Sequence, residues 1–141
     1  MRGRLLTAYF MRVNRETGVP YKGYIGTIED SLAAKQRYVN FDEDGGWIQI
    51  VHLGNDIVGI CNDEGKILGF PPNRALLDDN GEVLDVFCGN VLILRRMGEE
   101  LISISEADIP YIDRCLRPVI LLNNGIIMQV PDNELPEYKK E

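Results

Sequence analysis

The side chains of this sequence that could do chemistry are a single histidine, three cysteines and an arginine that follows two prolines. His52 is the first candidate, because histidine is the usual proton shuttle near neutral pH. It stands in a strand-like run, residues 47–52, and the nearby sequence holds no serine or cysteine nucleophile in a known elbow. Cys61 or Cys88 could still approach it in the folded chain. The pattern indicates a partly exposed strand histidine, so we expect no enzyme activity and assign no catalytic residue.

Metal-binding and cofactor-binding patterns are missing from the sequence. The odd number of cysteines, with no close pair, argues against a disulfide framework or a zinc site and predicts small buried side chains in a reducing cytoplasm: Cys61, Cys88 and Cys115. Acidic clusters at residues 42–44, 78–79 and 99–100 lack the order of an EF-hand loop and adjoin predicted turns. No glycine-rich phosphate loop is present. We therefore expect neither a metal nor a cofactor.

The stretch FPPNR, residues 70–74, raises a second question. Two consecutive prolines fix φ at about −65° and remove two backbone donors, which predicts that a strand at residues 66–70 ends there. A short helical turn would begin near Pro72. On such a rigid stem the guanidinium of Arg74 would suit a carboxylate or phosphate. The segment is thus either a strand terminator or a binding loop, and Asn73, Arg74 and His52 are the candidate ligand-binding or partner-binding residues.

Charge and composition limit the classes of function. The 141 residues correspond to one domain, and the net charge of −7 disfavours nucleic-acid binding, because phosphate contacts supply most of that affinity. Apolar runs are too short to span a bilayer, and the basic start is interpreted as a strand and not as a signal peptide. Five basic residues stand against Glu16 in the first 22 positions: Arg2, Arg4, Arg12, Arg15 and Lys22. This segment predicts either an anion-facing patch or an edge strand protected by its charge.

Turn signals at short intervals separate β-branched runs along most of the chain. They occur at Gly54-Asn55, at residues 63–65, and at Asn80-Gly81, Met97-Gly98 and Asn124-Gly125. This order predicts antiparallel hairpins, of which residues 4–13 and 23–28 form the first. We expect an α+β fold: one antiparallel twisted sheet of about six to eight strands, or a small partly open barrel of hairpins, with one or two covering helices.

Two helices and a polar tail complete the expected domain. The first helix follows Ser31 as N-cap, and the second follows Ser105, with Pro110 in or near its first turn. Ile109, Ile112 and Leu116 would form the buried stripe of the second helix. We expect a single globular domain at residues 1–131 and a polar tail at residues 132–141 that frays.

The string NDEGKILGFPPNRAL, residues 62–76, resembles the signature of an uncharacterised family, the domain of unknown function numbered 3846. Three further segments agree with the family in order: residues 28–39, 47–62 and 87–109. Together they cover about residues 24–114, whereas a hairpin at residues 117–131 has no counterpart in the family's pattern. The resemblance implies a small gene product of bacteriophages, plasmids or conjugative elements. It implies no activity, ligand or site residue.

Two functions from different classes remain open. The first is a non-catalytic interaction or accessory protein of a phage or mobile element that binds a host or element-encoded protein, since an acidic surface suits a basic partner. The alternative is a small-molecule or nucleotide-binding protein, a sponge that uses Arg74 and the basic amino-terminal strand. We expect a cytoplasmic protein with no membrane and no direct nucleic-acid contact. The terminal hairpin leaves a homodimer open.

Overall fold

The computed structural model describes residues 3–139, and within them ten strands and two α-helices form two sheets and their covering layers. The strands are β1 Leu5–Met11, β2 Tyr24–Glu29, β3 Ile48–Gly54, β4 Ile57–Asn62, β5 Pro72–Leu77, β6 Val83–Cys88, β7 Val91–Met97, β8 Glu100–Ile102, β9 Leu116–Leu121 and β10 Ile127–Gln129. The helices are α1 Leu32–Val39 and α2 Ile109–Cys115, and single 3₁₀ turns occupy Glu106–Asp108 and Asp132–Glu134.

The strands pair antiparallel throughout residues 3–139, in two open sheets. The first sheet has the order β2-β1-β7-β4-β3, with β8 also pairing with β7, and the second has the order β10-β9-β5-β6. One core lies between the first sheet and α1, and the other lies between the two sheets and α2. The α+β class of antiparallel hairpins with covering helices is confirmed, although the strands divide between two sheets where one was expected.

Local sequence signals account for several elements. The Ser31 side chain accepts a hydrogen bond from the backbone N–H of Ala34 at 3.1 Å, which is the N-cap expected for α1. Asn55 and Asp56 turn between β3 and β4 with φ of 52° and 60°, a conformation that Asn and Asp tolerate better than most residues. Pro110 lies in the first turn of α2, where its missing N–H breaks no helical hydrogen bond.

The predicted strand at residues 66–70 is wrong. Residues 63–69 form consecutive turns closed by local backbone hydrogen bonds, from the N–H of Leu68 to the carbonyl of Glu64 at 2.8 Å and from Phe70 to Gly65 at 2.9 Å. Ile67 is 83% exposed, so its apolar side chain packs against no core. The apolar residues of this run predicted a strand. In the structure their backbone N–H groups form hydrogen bonds within local turns and do not pair with another strand.

The helical turn expected after the double proline is also wrong, because a strand begins there. Pro72 opens β5, the position at which a strand tolerates proline, since no ladder donor is lost in its interior. β5 pairs with β6 on one side and with β9 on the other, so it is a central strand of the second sheet. The prolines set the start of this strand and do not terminate the one before it.

The carboxy-terminal segment differs from the fraying tail that the sequence predicted. β9 completes the chain's own second sheet against β5, and β10 follows it as the edge strand. The end of this segment lies against the loop between β1 and β2, where the N–H of Lys22 donates to the carbonyl of Pro136 at 2.8 Å. The ring of Tyr138 packs on Tyr21 and Tyr24. The polar composition of the segment did not predict these contacts, because they join residues that are distant in the sequence.

Candidate binding groove

His52 lies exposed on β3 and forms no catalytic pair with Cys61, the thiol that it could have activated as a base. It pairs with Val58, whose side chain belongs to the core on the α1 side of the sheet, so His52 faces that side. Cys61 belongs to the core on the opposite side of the same sheet. The sheet therefore separates the imidazole from this thiol, and the two do not form a nucleophile and base.

Asn73 and Arg74 are both buried, with 0% and 2% of their surface exposed. Neighbouring strand residues ordinarily point to opposite faces, but the pairing register shifts between Pro72 and Arg74, and such a bulge re-aims side chains. The Asn73 amide nitrogen donates to the carbonyls of Met11 at 2.8 Å and Gly89 at 2.9 Å. These bonds join the second sheet to the end of β1, so Asn73 has an architectural role.

The guanidinium of Arg74 is engaged inside the protein. It donates to Asn73 Oδ1 at 2.7 Å and to the carbonyl of Tyr21 at 2.8 Å, and among the described residues no carboxylate forms a salt bridge with it. Burial lowers the pKa of Arg74 to about 10, which still leaves it cationic at pH 7. Arg74 thus fixes the backbone of Tyr21 through a hydrogen bond made in the protein interior, and its charge is not accessible to a ligand.

The residue that Arg74 holds lines an open groove of about 620 Å³. The groove runs between the loop that follows β1, the loop that follows α1 and the carboxy-terminal segment. We call it the arginine groove, and its lining is Arg12, Val13, Asn14, Arg15, Glu16, Tyr21, Phe41, Asp42, Asn90 and Tyr138. Basic residues of the amino-terminal segment therefore do reach a cavity, in a place other than the PPNR stretch.

Arg12 is fixed within the groove by aromatic side chains. Its guanidinium carbon lies 4.9 Å from the centre of the Tyr38 ring and 4.5 Å from that of Tyr138. Its Nε donates to the hydroxyl of Tyr24 at 2.8 Å, and its side chain is only 15% exposed. Burial alone would lower the pKa of Arg12, but its contacts with Tyr38 and Tyr24 outweigh this effect and raise it, so Arg12 is a permanent cation.

Arg15 supplies a second cation that is more open to water. Its guanidinium lies 5.0 Å from the centre of the Phe41 ring and 5.4 Å from that of Phe70. These two rings meet edge to face at 4.9 Å, so they form a rigid aromatic support. The side chain is 51% exposed. A guanidinium that rests on rings keeps its N–H edges free for bidentate bonds to carboxylate or phosphate.

The loop after α1 places Phe41 and Asp42 in the groove through an unusual backbone. Both residues have positive φ, 55° and 64°, a region that costs a non-glycine residue roughly 1 kcal/mol or more. The conformation turns the Phe41 ring onto Phe70 and the Asp42 carboxylate onto Arg12, at 3.1 Å from its nitrogen. Strain that is held by such contacts is a frequent mark of binding sites.

Carboxylates neutralise both cations of the groove. Asp42 pairs with Arg12, and Glu43 pairs with Arg15 at 3.4 Å. Their side chains are 62% and 69% exposed, so each ion pair is solvated and contributes between zero and about 1 kcal/mol. An incoming anion with several oxygens can therefore replace these partners at small cost.

Sequence reasoning found part of this site and missed the rest. The concentration of positive charge before residue 22 did point to Arg12 and Arg15, but Arg4 pairs with Asp30 elsewhere and Arg2 lies outside the described residues. Nothing in the sequence around Phe41 indicated a binding residue, since its position in the groove depends on the conformation of the loop after α1. Nothing indicated Tyr138 either, because its packing on Arg12 joins opposite ends of the chain.

Within residues 3–139, no group of three or more histidine, cysteine or acidic side chains gathers in an arrangement that could hold a metal ion. The three cysteines, all within this part of the chain, are free thiols. Nowhere between residues 3 and 139 is a helix both long and apolar enough to cross a membrane.

Comparison with known proteins gives a family and no function. Residues 13–116 match the family described as Domain of unknown function (DUF3846), which confirms the resemblance found at residues 24–114. No curated protein and no solved structure matches the chain. Most of the arginine groove lies within the matched residues, whereas Arg12, the β9–β10 hairpin beyond Leu116 and Tyr138 lie outside them. Since the match covers most of its length, the chain belongs to the DUF3846 family of domains of unknown function.

Proposed function

We propose that this protein is a non-catalytic binding protein that takes up a phosphate-bearing small molecule in the arginine groove. The observation that carries the proposal is the pair of guanidinium groups, Arg12 and Arg15, that aromatic rings hold in one cavity. Pre-organised cations lose little side-chain entropy when a ligand binds. The sequence suggested an anion site at Arg74 and the basic amino-terminal strand. We keep Arg12 and Arg15 of that basic segment and leave Arg74 out of direct contact with the ligand.

The two arginines have different parts in this proposal. Arg15 is the more exposed and has one weak ion pair, so it makes the first contact with the phosphate. Arg12 lies deeper and keeps its bond to Tyr24, so it offers its remaining N–H groups once Asp42 has moved aside. Arg74 acts as a positioning residue, because its bond to the Tyr21 carbonyl keeps the groove wall in place.

Calorimetry with ribose 5-phosphate tests the proposal directly. We expect the full chain to bind and Arg15→Gln to weaken binding about tenfold or more, since a charge-assisted hydrogen bond is worth roughly 1.5–3 kcal/mol and 1.4 kcal/mol is about tenfold. Arg96→Gln is the matched control, because Arg96 is an exposed arginine on β7 outside the groove lining. No binding to the wild-type chain, or equal binding by Arg15→Gln, would contradict the proposal.

A second candidate function, binding of a host or element-encoded protein, has its own supporting observation. The β9–β10 hairpin exposes apolar side chains around the outer edge of the second sheet: Leu121 55%, Ile126 57%, Ile127 42% and Met128 46%. No charged residue interrupts residues 126–130, although natural edge strands are commonly protected by charge. Such an edge suits strand addition by another chain or by a second copy of this one.

Light scattering after size exclusion separates these partners. A dimer mass that reverts to a monomer in Ile127→Lys would identify a second copy, and a monomer in both would leave a different protein as the partner. Thr27→Lys, an exposed change on the outer strand of the other sheet, is the control. The role in a phage or mobile element and the cytoplasmic location remain part of this proposal, supported by the family resemblance and by the free thiols.

A further inference from the structure

The carboxy-terminal segment places one aromatic ring inside the binding region. Tyr138 stacks on Tyr24 with ring centres 5.8 Å apart and planes 6° apart, and Tyr24 stacks on Phe10 at 5.1 Å with the same angle. The Tyr21 ring meets the Tyr138 ring nearly at right angles with centres 5.3 Å apart, and Arg12 lies against Tyr138. The Tyr138 ring therefore fills a slot whose walls are the stacked ring of Tyr24, the perpendicular ring of Tyr21 and a cation.

Tyr138 also lines two cavities. One is the arginine groove, and the other is a cavity of about 310 Å³ lined by Phe10, Arg12, Tyr24, Gly26, Thr27 and Tyr138. Arg12 and Tyr138 are the residues that line both. Because Arg12 forms part of the protein body while Tyr138 comes from the terminal segment, withdrawal of the tyrosine ring would join the two cavities beside a fixed guanidinium.

The segment that carries Tyr138 has few attachments to the rest of the protein. Residues 131–134 are exposed. Within residues 3–139 the segment is attached by the Arg117–Asp132 ion pair at 2.9 Å, by the Lys22–Pro136 backbone bond and by the partly buried side chains of Leu135 and Tyr138. Segments with little buried apolar surface open at low free-energy cost. The ring can therefore leave its slot without disturbing either core.

We propose that this slot is the binding site for the base of a nucleotide, and that Tyr138 occupies it until the nucleotide displaces the ring. The inference rests on the proposed function, since the phosphate would lie on Arg15 and Arg12 while the base stacks on Tyr24. Stacking on an aromatic face accepts any base, and a neighbouring arginine adds a cation–π contact. A ligand with both a base and a phosphate would use the slot and the groove together, whereas inorganic phosphate or a sugar phosphate would use only the groove.

Displacement gives the nucleotide a specific signature in a variant that lacks the ring. The apparent dissociation constant equals the intrinsic one divided by the fraction of molecules whose slot is open, so a slot that is mostly filled weakens nucleotide binding. Tyr138→Ala should therefore bind adenosine 5′-monophosphate at least about threefold more tightly than the wild-type chain. It should not tighten the binding of ribose 5-phosphate, because that ligand carries no base and the change also removes a ring that supports Arg12 in the groove. Lys139→Ala changes the next residue of the same segment and serves as the control, with no effect on either ligand.

The experiment is a calorimetric comparison of the two ligands across wild type, Tyr138→Ala and Lys139→Ala. Weaker or unchanged nucleotide binding in Tyr138→Ala would overturn the inference, because the ring would then be a wall of the site or irrelevant to it. An equal change for both ligands would also overturn it. Binding of ribose 5-phosphate with no gain for the nucleotide would refute the base slot alone, and failure of every ligand to bind any variant would refute the groove as well.

A second measurement follows the ring in the unmodified protein. In the stack on Tyr24 the Tyr138 ring protons experience the ring currents of their neighbours. Addition of adenosine 5′-monophosphate should return these resonances to the values of an exposed tyrosine, while ribose 5-phosphate should leave them in place. Resonances that remain at their original positions when the nucleotide is bound would overturn displacement.

Discussion

The guanidinium carbon of Arg12 lies 4.5 Å from the centre of the Tyr138 ring, although the two residues stand near opposite ends of the described chain. This contact attaches the carboxy-terminal segment to the end of β1 and closes one side of the arginine groove. It depends on a flat guanidinium, since Arg12 presents its faces to the Tyr38 and Tyr138 rings while its Nε binds Tyr24. A lysine keeps the positive charge, but its ammonium group is neither planar nor able to donate two parallel hydrogen bonds as a guanidinium does.

Arg12→Lys should therefore release the carboxy-terminal segment. We expect faster cleavage by a glutamate-specific protease at Glu134 and Glu137, because a cation–π contact worth about 0.5–2 kcal/mol is weakened. Mass spectrometry of timed digests measures the rate. Arg37→Lys, an exposed substitution on α1, is the control and should be cleaved at the wild-type rate. Equal rates in all three proteins would show that the contact does not hold the segment.

Arg74→Ala should destabilise the fold, because the change removes a buried cation whose two hydrogen-bond partners are buried or partly buried. Asn73 Oδ1 and the Tyr21 carbonyl would each lose a donor, and such losses cost roughly 1–3 kcal/mol each. We expect the free energy of unfolding, measured by urea titration, to fall by about 3 kcal/mol or more. Arg96→Ala removes an exposed arginine and should change the value by less than about 0.5 kcal/mol. A stable Arg74→Ala protein would show that the internal bonds are dispensable.

Asp42→Asn should strengthen anion binding without loss of stability. The carboxylate neutralises Arg12 at 3.1 Å but is 62% exposed, so its ion pair contributes little to folding. Asparagine tolerates the positive φ of 64° at this position about as well as aspartate does. We expect ribose 5-phosphate to bind severalfold more tightly, with the midpoint of urea unfolding unchanged. Asp79→Asn, an exposed change away from the groove, should alter neither quantity. Weaker ligand binding in Asp42→Asn would mean that Asp42 itself contacts the ligand.

Stability should fall in acid partly through Asp108. Hydrogen bonds from Arg95 hold the pKa of this carboxyl below its ordinary value of 3.8, assisted by the backbone N–H of Ser105. Because the pKa is lower in the folded state, the contribution is complete above the ordinary pKa and is lost as the pH falls through the folded value. Asp108→Asn should thus unfold more easily at pH 7, by up to about 1 kcal/mol, and lose less stability below about pH 4.

Urea titrations at several pH values between 7 and 2.5 measure this difference. Asp79→Asn is again a suitable control, since Asp79 is exposed and makes no ion pair within residues 3–139. Its acid profile should follow that of the wild type. Parallel profiles for Asp108→Asn and wild type would show that the Arg95 pair does not contribute to acid sensitivity.

Much of the fold could be predicted because its signals are local. Ser31 caps α1 through a hydrogen bond three residues away, and Asn55 suits a tight turn through its own backbone preference. The first hairpin, both helices and the terminal hairpin follow from such signals. The family was recognised for a related reason, since the string at residues 62–76 is continuous in the sequence.

The double proline shows where local reasoning fails. Pro71 and Pro72 do restrict the backbone, but whether they end one strand or begin another depends on which strands lie beside them. β6 and β9, which come later in the chain, take the hydrogen bonds of β5 and make it a central strand. Pairing with strands that are distant in the sequence produces no periodic pattern of apolar residues near residue 71 from which it could be predicted.

By itself the sequence determined the α+β class, the hairpins, the helix caps and the family, because each depends on neighbouring residues or on continuous motifs. Only the tertiary structure decided which cations can meet a ligand. Arg74 looked exposed on a rigid stem, yet a bulge and the packing of two sheets bury it, while Arg12 and Arg15 reach the groove. The physical reason is that burial and aromatic packing arise from contacts between distant segments, as when Tyr138 closes on Arg12.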